Sequence, residues 1–150
     1  MSRTSAKKLE SYSFRILGVK TNSVKLEDEP EYQIGDSFNY SIQTSHLVSQ
    51  PTKQVKVFVH FSVSEGDKKD LMLIELQTEC TFEVEDIDKI TPSGHDLPDE
   101  LRYVLHGVTI STTRGIFYMC VRGTYLQKAV LPVVDPTKMS PVQLDETRPT

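Results

Sequence analysis

Residues 71–85 read LMLIELQTECTFEVE, an alternation that suits a strand and not a helix. From Met72 to Val84 every second residue is apolar except Thr78, while Glu75, Gln77, Glu79, Thr81, Glu83 and Glu85 fill the other phase. Successive strand side chains point to opposite faces, so the pattern specifies a strand with one buried and one wet face. Fully extended, the run spans about 50 Å, roughly two to three times a typical strand. A strand that long must cross a broad sheet and leave part of its apolar face uncovered.

The flanking sequence supplies that sheet. Phe38, Tyr40 and Ile42 alternate with Asn39, Ser41 and Gln43, and Val55, Val57, Val59, Phe61 and Val63 form a second alternating run. Pro51 and Thr52 suit the turn between these two runs, and the polar stretch Glu65–Asp70 suits a hairpin into the long strand. The three runs together predict an antiparallel meander. Upstream, Tyr12, Phe14 and Ile16 alternate with Ser13 and Arg15, Val19 breaks the phase, and Val24 and Leu26 resume it. That break predicts a bulge or bend near Gly18. Glu27, Asp28, Glu29, Pro30 and Glu31 then end this first strand and open a crossing loop through Tyr32 and Ile34 to Gly35.

After Val84 the period changes. Thr91–His95 reads as a loop, and Asp96, Pro98, Asp99 and Glu100 form an acidic, Pro-containing helix start. Leu101, Val104, Leu105 and Val108 share one helical face, and Ile116, Phe117 and Cys120 repeat the spacing. Gly107 and Gly115 weaken the helix enough to allow two pieces, and Gly123 is its expected stop. The Pro-rich apolar stretch from Tyr125 to Pro136 predicts an extended segment packed on the body. Residues 1–10 and 137–150 are polar and read as a disordered start and a mobile tail, leaving one domain over 11–136. Strands followed by a helical region define an α+β fold: a four-stranded antiparallel sheet with helices packed on one face.

Composition narrows the function classes. A hydrophobic content of 37% with 25% charged residues is ordinary for a soluble domain, and no run approaches the length of a membrane span. The basic start Met1–Lys8 has no apolar core behind it, so no secretory signal is expected and the expected location is cytoplasmic. A net charge of -4, with 17 basic residues spread among 21 acids, argues against nucleic acid and suits a basic protein partner. Cys80 and Cys120 each fall in an apolar phase, which favours two buried reduced thiols over a disulfide.

No catalytic constellation stands out. His46, His60, His95 and His106 have unrelated spacings and the cysteines form no Cys-x-x-Cys pair, so neither a metal nor any other cofactor is expected. There is no Gly-rich phosphate loop, and Thr113, Arg114 and Gly115 lack the serine of a nucleophile elbow. Glu75, Glu79 and Glu83 share a strand face, as an acid–base pair would, but repeated acids opposite an apolar phase are read as the solvated face of an antiparallel strand. His60 is read as exposed, and Arg114 as one half of an intramolecular salt bridge. The apolar surplus is the remaining clue. A single helical layer of about 25 residues, about 38 Å long, cannot cover four long strands, so some apolar sheet must meet another subunit or a ligand.

Taken in order, these segments resemble the SecB family of protein-export chaperones from Phe14 to Pro136. Val19–Val24 is similar to the family's first strand, Phe38–Ser45 to its second, and Leu73–Gln77 followed by Phe82 to its fourth. Arg114, then Arg122-Gly123-Thr124-Tyr125 and Leu131-Pro132-Val133-Val134-Asp135, are similar to its Arg-Gly-x-Phe and Leu-x-Pro-Val-Asn elements. The resemblance implies a dimer of dimers, so a homodimer or homotetramer, that holds unfolded polypeptides in long apolar grooves without ATP. It assigns client binding to Phe38, Tyr40, Ile42, Met72, Tyr125 and Leu131, and contact with the SecA translocase motor to Leu73 and Glu75. Three features depart from the family: Thr21 and Lys25 stand where its first strand carries acids, Ser111-Thr112-Thr113-Arg114 replaces its Pro-Tyr-Ala-Arg helix start, and a short polar tail stands in place of its closing amphipathic helix. These changes point to a specialised member serving an antitoxin or a dedicated secreted protein. The expected function is therefore a non-enzymatic holdase. Its rival is a small-molecule-binding domain or enzyme with a cavity between helix and sheet.

Overall fold

The computed structural model describes residues 12–30, 38–66 and 68–129. They form strands β1 (Phe14–Leu26), β2 (Phe38–Ser49), β3 (Gln54–Glu65) and β4 (Lys68–Val84), then helices α1 (Ile87–Ile90) and α2 (Asp99–Val121). The sheet is four-stranded and antiparallel with strand order β1-β4-β3-β2. The predicted β2–β3–β4 meander is present, and β1 docks on the far side of β4, so the β1–β2 connection passes from one sheet edge to the other. The helices lie on one face. The expectations for residues 1–10, Tyr32, Ile34 and 137–150 lie outside the described residues.

The core follows the alternation of β3. Val55, Val57, Val59, Phe61 and Val63 are buried on the face beneath α2, and the register carries that face to Phe82, Cys80, Thr78, Leu76 and Ile74 of β4. The N-terminal half of α2 packs Leu101 and Leu105 on Val55, Val57 and Phe82, while its C-terminal half packs Ile110, Phe117 and Val121 on Phe61, Val63 and Leu76. Between the two clusters lies a polar belt. Thr44, Val59, Thr78 and Thr21 form one row across the four strands, and buried Thr109, Thr113 and His106 of α2 complete the belt with Thr44 and Thr78. Thr78, the gap in the apolar phase of β4, meets Thr113 at 2.7 Å. The Thr113 hydroxyl donates to the Thr109 carbonyl, so Thr78 supplies the hydrogen between the two hydroxyls.

Bulges correct the simple alternation at both ends of the sheet. Ile74 faces Val63 and Met72 faces Ser64, which leaves Leu73 as an extra residue in β4. Leu73 and Ile74 are both buried (0% exposed), and Met72, expected in the core phase, passes to the opposite face at 40% exposed. In β1 the extra residues are Leu17 and Asn22. The first lies beside Gly18, as the phase break predicts. Together they bring Ile16, Val19, Val24 and Leu26 onto the helix-bearing face, opposite Phe82, Cys80, Leu76 and Ile74.

The helical region departs from expectation in three ways. Gly107 and Gly115 do not divide α2, which runs unbroken for 23 residues, because its packing on β3 and β4 outweighs a cost of about 1 kcal/mol per glycine. Val104 is exposed instead of core-facing. Residues 124–129 fold into consecutive turns, with Gln127 N–H donating to Thr124 and Ala129 N–H to Leu126, where an extended segment was expected. The turns bury Leu126 and Ala129 against the C-terminal cluster. Gly123, at φ 78°, ends α2 in the left-handed geometry that glycine adopts without strain.

Candidate functional site

One 23-residue helix lies over β3 and β4 and leaves both edge strands of the same face partly open. On β1, Ile16 and Val19 are 49% exposed, Val24 44% and Leu26 38%, although each faces the side that elsewhere forms the core. On β2, Phe38, Tyr40 and Ile42 lie on that face opposite Glu65, Val63 and Phe61, half-buried against the C-terminal cluster. The Tyr40 ring stacks on Phe61 with centroids 6.3 Å apart, and Phe61 meets Phe117 edge-on at 5.1 Å. Ile42, Val59, Phe61, Ile110, Thr113 and Arg114 line a small recess between β2, β3 and α2. Arg114 makes none of the ion pairs found among the described residues, so the expected internal salt bridge is absent there.

The residues expected to bind clients are not gathered in one groove. Phe38, Tyr40 and Ile42 form a strip on the β2 edge. Tyr125 packs on the same apolar cluster from the other side, its hydroxyl donating to the Glu27 carbonyl at 2.7 Å just beyond the end of β1. Met72 lies on the opposite face of the sheet, and Leu131 lies outside the described residues. The pair expected to face a translocase is also split. Leu73 is turned into the core by the bulge and offers a partner no side chain, while Glu75 lies on the outer face.

That outer face carries apolar Leu47, Phe58 and Met72 but is charge-paired along β4. Arg15 bonds Glu83 at 3.0 Å, His60 bonds Glu75 at 2.6 Å, and Lys20 and Lys25 stand opposite Glu79 and Glu75. The three glutamates therefore form a solvated ladder, each beside a basic cross-strand neighbour. His60, read as simply exposed, is half-buried and committed to Glu75. Cys80 is buried and Cys120 half-buried, both unpaired, and burial pushes the Cys80 thiol up, against hydrogen bonds with Thr109 and Thr112.

Sequence reasoning missed one cluster. His46 Nδ1 and His106 Nε2 are 3.0 Å apart, and His106 Nδ1 lies 3.1 Å from the Thr44 hydroxyl. Burial drives both imidazoles toward the neutral form, His106 to about 4 with help from His46 and Arg102. The His95 backbone opposes the shift at His46, as a carbonyl accepting a ring N–H does. With that N–H on Nε2, His46 Nδ1 accepts from His106, and His106 Nδ1 accepts from Thr44, giving a one-way chain of neutral groups. Sixty residues separate the two histidines in sequence, so no local spacing signals the pair. Among the described residues no three His, Cys, Asp or Glu side chains converge as a metal site, and no helix is long and apolar enough to cross a membrane.

Sheet order, helix placement and the half-open apolar face define a SecB-like α+β fold. Among solved structures, a SecB-like chaperone of Mycobacterium tuberculosis, Rv1957, in complex with a ChAD peptide from the Rv1956 HigA1 antitoxin, matches with a TM-score of 0.50 over 81% of this chain and 89% of that one, at 12% identity. No protein-family model and no curated protein sequence matches the chain.

Proposed function

We propose that the protein is a cytoplasmic, ATP-independent holdase that grips non-native polypeptide on the open part of its helix-bearing face. The observation that carries this reading is the row of large apolar side chains left half-exposed on both edge strands of a sheet whose centre is fully buried. An extended client can lie along the β2 edge while its apolar side chains settle on Phe38, Tyr40 and Ile42. The recess beneath α2, formed by described residues, holds about one water, far short of the several hundred Å³ a metabolite needs, so this recess does not serve the small-molecule rival. The outer face suits a dedicated client, such as an antitoxin, better than a translocase, because Leu73 is buried and Glu75 is held by His60 and faced by Lys25.

Changing Tyr40 and Tyr125 together to serine tests the grip. The double variant is expected to keep its circular-dichroism spectrum yet require about tenfold more protein to suppress aggregation of a denatured client, since each ring contributes on the order of 1 kcal/mol or more to apolar contact. Undiminished suppression by a folded variant rules these residues out.

The β1 row has a different occupant in this reading. Ile16, Val19, Val24 and Leu26 flank a strand edge that pairs with no other strand among the described residues, and a second copy of the chain brings an identical row and an identical edge to cover it. The wild-type chain is expected to sediment at a multiple of its 17.0 kDa mass, and a variant with Val19→Glu and Val24→Glu as a monomer. A wild-type protein that sediments as a single chain at micromolar concentration removes the assembly.

A further inference from the structure

His106 of α2 bonds to β2 twice, through Nε2 to His46 Nδ1 at 3.0 Å and through Nδ1 to the Thr44 hydroxyl at 3.1 Å. His46 also reaches the His95 backbone on the α1–α2 loop, and Gln50 just past β2 donates to the Thr91 carbonyl at 2.7 Å. These polar contacts fasten the C-terminal half of β2 to the helical layer. Within the sheet, β2 pairs with β3 alone among the described residues, and a strand held on one side opens at lower cost than a central one. The number of protons on the two rings decides whether the fastening holds. In the neutral pair a single hydrogen lies between them. A first added proton, on His46 Nδ1, keeps every link: that N–H donates to His106 Nε2, the hydrogen of His106 passes to Nδ1, and Thr44 turns from donor to acceptor. A second proton puts a hydrogen and a positive charge on both nitrogens across the same 3.0 Å, and the bond between the rings is lost. Arg102, itself 3.2 Å from Asp99, adds like charge from α2, and Asp96 on the loop opposes it at His46. Across β3, His46 and Thr44 face Val57 and Val59, which bring no charge.

We infer that the His46–His106 pair is a proton-operated latch: with no added proton or one it holds the C-terminal half of β2 to α2 and the α1–α2 loop, and with two it lets that half of the strand detach while β3 and β4 stay paired. The inference does not depend on the holdase reading, although the strand it governs also carries Phe38, Tyr40 and Ile42. Detachment is favoured in acid because an opened His106 is hydrated and takes its proton freely, whereas the closed one is buried among Thr44, His46 and hydrocarbon.

The test is native-state amide hydrogen exchange on the full chain at pH 7, 5.5 and 4, corrected for the intrinsic exchange rate and repeated over a series of low urea concentrations. Residues 44–48 are expected to exchange through an opening insensitive to urea, whose equilibrium constant rises about tenfold to a hundredfold from pH 7 to pH 4. Residues 78–82 of β4 should open only with the steep urea dependence of global unfolding. Ring resonances of the two histidines count the protons, and the opening should follow the second proton on the pair. H106Q, which cannot charge, should make the opening of residues 44–48 independent of pH. An opening constant equal at all three pH values overturns the latch, as does one that shares the urea dependence of β4, follows the first proton, or keeps its pH dependence in H106Q. The wild-type series decides the matter even if H106Q does not fold.

Discussion

Acidification from pH 7 to pH 4 is expected to cost the fold on the order of 3 kcal/mol through His106 alone. In the folded chain burial, aided by the charges of His46 and Arg102, holds its imidazole at about 4, whereas an unfolded histidine titrates at 6.5. The folded value is the depressed one, so between 6.5 and 4 the unfolded chain takes up the proton first. The stabilisation is complete above 6.5 and drains away as the pH falls through that window. The geometry gives the same sign. A proton on His106 Nδ1 would face the Thr44 hydroxyl, now obliged to turn its hydrogen elsewhere, and a second positive ring would stand 3.0 Å away if His46 charged too. Arg102 adds like charge from α2, and the opposing groups on the α1–α2 loop, Asp96 and the His95 carbonyl, offset only part of this at His46. Urea midpoints at pH 7, 5.5 and 4 measure the effect, and H106Q isolates it from the general loss that carboxylate protonation brings. The variant should lose markedly less stability than wild type over the same range. Parallel pH profiles would mean that His106 is not buried neutral in solution.

Phe61→Ala is expected to remove about 3–5 kcal/mol, a large part of the whole stability of a domain this size. The ring is 1% exposed at the centre of the C-terminal cluster, stacked beneath Tyr40 and edge-on to Phe117, and faces Leu76 and Ile42 across its two neighbouring strands. Backbone hydrogen bonds clamp the strands on both sides, so the cavity cannot collapse and most of the transfer and packing energy is lost. The urea midpoint should fall with little change in slope, whereas Phe61→Leu, which fills more of the space, should cost less than half as much. A loss under about 1 kcal/mol for the alanine variant would show that α2 does not close on the sheet at this point. The same substitution should also disturb Tyr40, so client binding is expected to weaken in whatever fraction stays folded.

Much of this architecture is legible along the chain, because strand alternation is a local signal. The runs Phe38–Ile42, Val55–Val63 and Met72–Val84 name their strands and buried phases, and the slip at Val19 betrays a bulge in β1. The candidate site is less legible. Met72 and Leu73 exchange faces because one extra residue faces the β3 end, and nothing in LMLI marks which leucine is inserted. Tyr40 and Tyr125 were expected to line one groove, yet they reach the same cluster from opposite edges of the sheet. Arg114 was expected to form an intramolecular salt bridge, yet it makes none of the ion pairs among the described residues and lines an apolar recess instead.

What the amino-acid order determines by itself is the set of elements: four alternating strands, a helix begun by Pro98 and stopped at Gly123, and more apolar strand than helix to cover it. Each of these rests on neighbours a few residues apart, whose side chains must share a face whatever the rest of the chain does. Tertiary structure alone decides the threonine belt, the His46–His106 pair and the wetness of Ile16, Val19, Val24 and Leu26. The first two join segments dozens of residues apart. The last depends on where a single helix comes to rest across a sheet wider than itself, and that position is set by packing against β3 and β4 together, a sum of contacts no local pattern contains.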